Sequence, residues 1–123
     1  MPAANPSMRA QSKKLLFDIR QACREVGGFN EGVTLADYSR STMRRAATER
    51  MFEIMGEAMT RLRDTDGETF QMISGAPAIV GFRNRLIHGY DAVDDEIVWK
   101  IIHDKTPTLL REVQTLLVGA GED

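Results

Sequence analysis

Apolar residues recur every three to four positions along four stretches of the chain. This spacing places them on one face of a helix, so each stretch predicts an amphipathic α-helix. The first predicted helix runs from Ser12 to the glycine pair Gly27–Gly28, which we expect to end it. The second and longest follows a short turn that Thr34 could cap, and its apolar stripe runs from Met43 to Leu62.

Two further helices are predicted in the second half of the chain. A weakly ordered segment from Asp64 leads to Pro77, which suits the first turn of a third helix, and Gly89 ends that helix. Asp94 or Asp95 can cap a fourth helix. The pair Thr106–Pro107 restarts or kinks this helix before a last apolar stripe.

No strand-like alternation, internal repeat or low-complexity tract separates these segments. Long amphipathic helices with short connections pack as antiparallel bundles, so we predict an all-α fold, an antiparallel helical bundle of four to five helices. We expect this domain to span residues 11–118. Residues 1–10 would be a flexible N-terminal tail and residues 119–123 a frayed C-terminal tail.

The composition fits a single globular domain. The chain has 123 residues, 42% hydrophobic and 28% charged, a length and balance that supply one hydrophobic core. The only cysteine, Cys23, has no partner for an intrachain disulfide and cannot alone form a thiolate zinc site, which indicates a buried structural residue. No apolar run approaches a membrane span and no leader pattern opens the chain, so we expect a cytoplasmic protein without a membrane partner.

The charge balance limits how the chain could bind nucleic acid. Its formal net charge is −2 at pH 7, with a pI of about 5.7. Bulk electrostatic binding of nucleic acid needs clustered Lys and Arg residues, which a chain of this charge does not supply in excess. If RNA binds, it has to bind at a local site.

Candidate chemistry concentrates at the end of the third predicted helix, where the chain reads GFRNRLIHGY. Arg83 and His88 are five residues apart, about 140° around a regular helix, whereas Asn84 and His88 lie one turn apart on one face. A helix ending near His88 would favour a protonated imidazole through its dipole. We expect Gly89 to let the backbone turn so that Tyr90 swings back toward the same pocket, an arrangement that suits an anionic ligand.

The pattern R-N-x-x-x-H-x-Y of this segment, with four residues between Arg83 and His88, resembles the motif of HEPN-superfamily ribonucleases, in particular the HepT toxins. The segment Ile-Met-Gly-Glu-Ala at residues 54–58 resembles the GEA segment of that family, and residues 94–99 resemble the start of its next helix. The resemblance covers roughly residues 12–118, nearly the whole predicted domain.

The resemblance implies a metal-independent endoribonuclease with no cofactor, in which the ribose 2′-hydroxyl attacks the adjacent phosphate. In that chemistry His88 would move protons and Arg83 would hold the pentavalent phosphorus by charge-assisted hydrogen bonds. Asn84 would be a supporting residue. The reaction needs both a base and an acid, and one motif supplies a single histidine, so the resemblance implies a homodimer with a shared cleft.

The resemblance also assigns a regulatory role to Tyr90. HepT toxins are neutralised when a partner nucleotidyltransferase, the MntA antitoxin, transfers AMP groups onto this tyrosine. Added phosphates would fill the cleft with negative charge and repel RNA. The partners implied for this chain are therefore an RNA substrate, a second copy of the chain and an MntA-like antitoxin.

Two other functions stay open at the level of the sequence. A non-catalytic helical partner could present a substrate or nucleotide to a nucleotidyltransferase, since a fold alone does not decide function. A helical oligomerisation domain would make the motif accidental. The paired Arg83 and His88 favour the enzyme, because a scaffold has no chemical need for them in one cleft. His103, outside the motif, is expected on the surface.

Overall fold

The computed structural model describes residues 8–89 and 93–122, which are all α-helical and contain no β-strand. Seven helices occur in these ranges: α1 (Ala10–Asn30), α2 (Leu35–Arg40), α3 (Thr42–Thr65), α4 (Gly67–Gln71), α5 (Ala76–His88), α6 (Asp95–Asp104) and α7 (Thr106–Gly119). Five are long, whereas α2 and α4 have six and five residues. The predicted all-α bundle of four to five helices is confirmed. None of the described helices is long and apolar enough to cross a membrane.

Helix α3 is the centre of the bundle and contacts α1, α2, α4 and α5. Helix α1 runs antiparallel to it, because Asn30 at the end of α1 bonds to Thr48 (3.1 Å), whereas Cys23 lies beside Met55 (3.8 Å). Helix α7 packs against α1 and α6, and α6 packs against α2. The long helices therefore enclose one core.

The core is formed by aliphatic, methionine and aromatic side chains from all five long helices. Its members with at most 5% of their surface exposed include Leu16, Ile19, Val26, Phe52, Met55, Met59, Leu62, Ile79, Phe82, Val98, Ile102, Leu109, Val113 and Leu117. With the exception of Phe52, which the predicted stripe of the second helix did not include, these positions follow the predicted apolar stripes, as helical periodicity requires. Met43 is an exception, since it belongs to the predicted stripe but is 83% exposed.

The predicted capping and first-turn residues of α2, α5 and α6 are confirmed, whereas α1 begins at Ala10, two residues before the predicted Ser12. Thr34 accepts a hydrogen bond from the backbone N–H of Asp37 and forms a complete capping box for α2. Asp94 caps α6 by accepting from the N–H of Glu96. Pro77 lies in the first turn of α5, where a missing N–H costs nothing. The segment at Thr106–Pro107 restarts the chain as the separate helix α7.

The predicted end of the first helix is wrong. Helix α1 does not end at Gly27–Gly28 but continues to Asn30, whose buried amide donates to the Val26 carbonyl (2.8 Å) and to Thr48. The turn is made instead at Gly32, with φ of 70°. The segment after Asp64 is also more ordered than predicted, because it contains α4.

The predicted N-terminal tail lies mostly outside the described residues, which exclude 1–7, whereas the predicted C-terminal tail lacks only Asp123. Within the described part, Met8 is buried just before α1 begins. After α7, Ala120 is buried and Glu122 forms a salt bridge with Lys13 (3.8 Å). The domain limits of 11 and 118 remain predictions, and buried residues lie outside both of them, Met8 before the first and Ala120 after the second.

Candidate active site at the end of helix α5

Helix α5 carries three of the four predicted site residues, Arg83, Asn84 and His88. The fourth, Tyr90, lies outside the described residues. The helix ends at His88, and the N–H of Gly89 donates to the Arg85 carbonyl (2.9 Å). The φ of Gly89 is −76°, a value open to any residue. The chain therefore leaves the helix at Gly89 without the positive φ that favours glycine. The expected return of Tyr90 toward the pocket lies outside the described residues.

The apolar face of α5 fixes this helix on α3. Ile79, Val80 and Phe82 are buried, and the Phe82 ring meets the Phe52 ring of α3 edge to face, with centroids 5.2 Å apart. Such a pair contributes both buried area and directional ring contact. The backbone that carries Arg83, the next residue, is thus held against α3.

Arg83 lies in the contact between α5 and α3. Its Cβ and Cγ atoms cover Gly56, where an added Cβ would lie 2.1 and 2.5 Å from them. The Nε atom is buried and has no hydrogen-bond partner. Among residues 8–89 and 93–122, no carboxylate forms a salt bridge with the guanidinium. The guanidinium is therefore not neutralised by a described acid.

Asn84 and His88 lie one turn apart and are both exposed. Arg85 is exposed beside them, and Ile87 is 43% exposed. Because α5 is helical through His88, the backbone of His88 is roughly 7.5 Å further along the axis than that of Arg83 and about 140° around it. The two side chains therefore leave the helix in different directions, and one chain alone does not place them on a single face.

The other histidine is separate from this segment. His103 lies on α6, is exposed, and has its ring edge-to-face with Trp99 at a centroid distance of 4.3 Å. Its surface position agrees with the prediction. His103 therefore lies on a different helix from the three described motif residues, which are all on α5.

Sequence reasoning singled out residues 54–58 and Arg83 separately but did not connect them. The structure places Gly56 of that segment directly under the Arg83 stem. A signal was present, because a glycine in the interior of the longest helix costs about 1 kcal/mol relative to alanine. Such a glycine indicates a close approach of another chain segment, which here is the predicted catalytic arginine.

Comparisons with known proteins relate the chain to ribonucleases. The family model described as ribonuclease HepT-like matches residues 19–116. A protein of Methanocaldococcus jannaschii named "Putative RNase MJ1380" is 31% identical over 102 residues, which cover 83% of this chain and 93% of that protein. A protein of Thermococcus cleftensis named "Probable ribonuclease HepT" is 26% identical over 109 residues, 89% of this chain and 98% of that protein. No solved structure is significantly similar.

Proposed function

The chain belongs to the HepT-like ribonuclease family, and from that premise we propose that it is a metal-independent endoribonuclease acting as the toxin of a HepT/MntA-type toxin–antitoxin pair. The observation that carries the proposal is the end of α5. There the chain presents an exposed imidazole at His88 and, at Arg83, a guanidinium with no ion-pair partner among the described residues. A phosphodiester supplies the negative charge that such a guanidinium binds well.

The proposed reaction is an attack within the RNA chain. A base removes the proton of the ribose 2′-hydroxyl, and the 2′-oxygen forms a bond to the adjacent phosphorus. The bond from phosphorus to the 5′-oxygen breaks, and an acid protonates that leaving oxygen. Histidine suits both proton transfers because imidazole titrates near neutral pH. Arg83 would stabilise the extra negative charge on the pentavalent phosphorus, and Asn84 would support His88 or a phosphate.

The need for both a base and an acid argues for two copies of the chain. One chain offers one histidine on α5, and its Arg83 leaves the helix in a different direction. A two-fold dimer would place two copies of each group around one cleft, so that one His88 acts as base and the other as acid. The symmetric pairing also concentrates Arg83 and Arg85 locally, despite the net charge of −2.

The test of this proposal is RNA cleavage by single variants. We expect Arg83→Ala and His88→Ala to lower kcat at least about 100-fold, as the loss of a group acting in the transition state does. Both variants should stay helical. The melting temperature should change little for the exposed His88 and fall modestly for Arg83, whose stem packs on Gly56. Arg111→Ala and His103→Ala are matched controls, since they remove the same side-chain types at exposed positions on α7 and α6.

Two outcomes would contradict the proposed ribonuclease function. Unfolding of both variants would make Arg83 and His88 structural residues. A folded wild-type protein that binds a nucleotidyltransferase but cleaves no RNA, even in excess, would favour the non-catalytic partner that presents a substrate to that enzyme. Growth arrest on expression, lost in the same two variants and kept in the controls, is the readout in cells.

Tyr90 is the proposed target of the antitoxin. Its hydroxyl would attack the α-phosphorus of ATP, with pyrophosphate leaving and AMP retained on the tyrosine oxygen. The added negative charge would repel RNA from the cleft. Tyr90→Phe should keep nuclease activity and toxicity but gain no AMP-sized mass steps with an MntA-like nucleotidyltransferase and ATP. Neutralisation of Tyr90→Phe by the antitoxin would show that tyrosine modification is not the route.

A further inference from the structure

Helix α3 has a gap in its side-chain surface at Gly56, and the Arg83 stem fills it. A Cβ added at Gly56 would lie 2.1 Å from Cβ, 2.5 Å from Cγ and 3.3 Å from Cδ of Arg83. The first two distances are shorter than any contact between non-bonded carbons. Any other L-residue at position 56 therefore has to push the backbones of α3 and α5 apart at this point, because the nearest obstacle is the Cβ of Arg83.

We propose that Gly56 is the positioning residue for the Arg83 guanidinium. The catalytic part of this inference rests on the proposed function, whereas the packing part does not. The side chain of an arginine is usually placed by an ion pair or a hydrogen-bond network. Here no described carboxylate holds the guanidinium, and the Nε atom is buried without a partner. Within the described part of the chain, the packing of the aliphatic stem on Gly56 therefore fixes the position and direction of the guanidinium.

The surroundings of Gly56 keep this contact rigid. Gly56 is buried inside α3, and its carbonyl accepts a hydrogen bond from the Thr60 hydroxyl (2.9 Å). One turn earlier, Phe52 packs edge to face on Phe82, the residue before Arg83. Two points of contact thus set the separation of α3 and α5 where the arginine leaves its helix, and a wider separation would move the guanidinium with its backbone.

The burial of Nε also determines which part of the guanidinium can meet a ligand. An Nε–H without solvent contact cannot reach a phosphate from outside. The end of the side chain beyond it, with its two Nη groups, is left for a phosphate oxygen. Small shifts of such a fork change the geometry of paired charge-assisted hydrogen bonds, which weakens stabilisation of the transition state more than binding of the substrate.

The catalytic part is tested by RNA cleavage with Gly56→Ala and a matched control, Gly27→Ala. Both substitutions add one Cβ inside a helix, but at Gly27 of α1 nothing lies within 4 Å of it. For folded Gly56→Ala we expect kcat to fall about tenfold or more with little change in KM, as for loss of a transition-state contact. Gly27→Ala should cleave like the wild type. Full activity of Gly56→Ala, or an equal loss in Gly27→Ala, would overturn the proposal.

The packing part is tested by thermal unfolding, which does not depend on nuclease activity. Gly56→Ala should lower the melting temperature of the wild type. In the Arg83→Gly background the Cβ clash is absent and alanine is the better helix former, so the same change should raise it. If Gly56→Ala does not fold alone, the double variant should fold. An equal loss of melting temperature in both backgrounds would overturn the proposal. If Gly56→Ala lowers the melting temperature in the wild type and raises it in Arg83→Gly, but the wild type cleaves no RNA, only the proposed function is overturned.

Discussion

Cys23 lies inside α1 with its thiol 3.8 Å from the thioether of Met55. The side chain is 2% exposed. Burial in this apolar setting raises the pKa of the Cys23 thiol from 9.0 to about 12, because a thiolate would lose its hydration there. The thiol is therefore protonated at neutral pH and poorly nucleophilic. Its place in the core, as a small apolar residue, agrees with the prediction from the sequence.

The expected consequence is slow reaction with thiol reagents in the folded protein. Native protein at pH 8 should be labelled by a disulfide reagent only through unfolding, and the denatured chain should react at once with one equivalent. Cys23→Ser should lower the free energy of unfolding by about 1–3 kcal/mol, since the hydroxyl would be buried beside a poor acceptor. Rapid stoichiometric labelling of the native protein would contradict the burial of this thiol.

At this same scale, the sequence predicts which residues could react but not what holds them. Arg83 and His88 follow from residue type and spacing, and both lie on one helix as expected. The contact between Arg83 and Gly56 does not follow, because the sequence does not show which turn of α3 crosses α5 or how closely. Helical spacing also does not bring Arg83 and His88 together on one face, so the hypothesis of a cleft shared by two chains depends on the resemblance to a known family.

Among the elements, the short helix α4 depends on one carboxylate. Asp66 caps α4 through the N–H of Thr69 (3.2 Å) and accepts from the hydroxyls of Thr69 and Ser12 (both 2.7 Å). Partial burial would raise the pKa of Asp66, but these hydrogen bonds outweigh it and hold that pKa below its usual value of 3.8. The bond to Ser12 ties the start of α4 to α1.

Removing this carboxylate should destabilise the protein in a pH-dependent way. At pH 7, Asp66→Ala should lower the free energy of unfolding by about 1–2 kcal/mol through loss of the cap. Because the folded-state pKa is lowered, the stabilisation is complete above the unfolded-state pKa and is lost as pH falls through the folded value.

Urea unfolding from pH 7 down to pH 3 tests this prediction. The difference between wild type and Asp66→Ala should shrink below about pH 4, where the unfolded-state carboxyl begins to protonate. Asp64→Ala is the matched control, because Asp64 is exposed and its carboxylate forms a surface ion pair with Arg63 (3.2 Å) instead of capping a helix. A difference that stays constant with pH would exclude a charged Asp66 as the cause.

The elements also show where helical patterns mislead. Long apolar stripes predicted α1, α3, α5, α6 and α7, because burial of one face decides whether a helix forms. Helix α4 was not predicted, because its five residues are too few to show a helical repeat of apolar positions. The glycine pair in α1 did not end the helix, since the buried amide of Asn30 anchors the last turn to Thr48 and this packing outweighs the low helix propensity of glycine.

For the whole molecule, the question is whether one chain contains a complete site. Its net charge of −2 offers no general attraction to RNA, and the basic groups in the last turn of α5 are Arg85 and His88. With Arg83 about 140° away from His88 on the same helix, a single chain presents one histidine and one arginine in different directions. A second copy can supply the missing acid or base, and the proposed cleft then exists only in the dimer.

Mixing experiments distinguish a shared site from one contained in a single chain. The double variant Arg83→Ala/His88→Ala, added in ninefold excess and allowed to exchange subunits, would leave roughly one tenth of the wild-type chains paired with each other. If both protomers build the cleft, activity should fall to about that fraction, because a mixed dimer has one histidine for two proton transfers. An equal excess of an inert protein is the control. Undiminished activity after confirmed exchange would mean that each chain cleaves RNA alone, and the acid would then have to be sought among its own side chains.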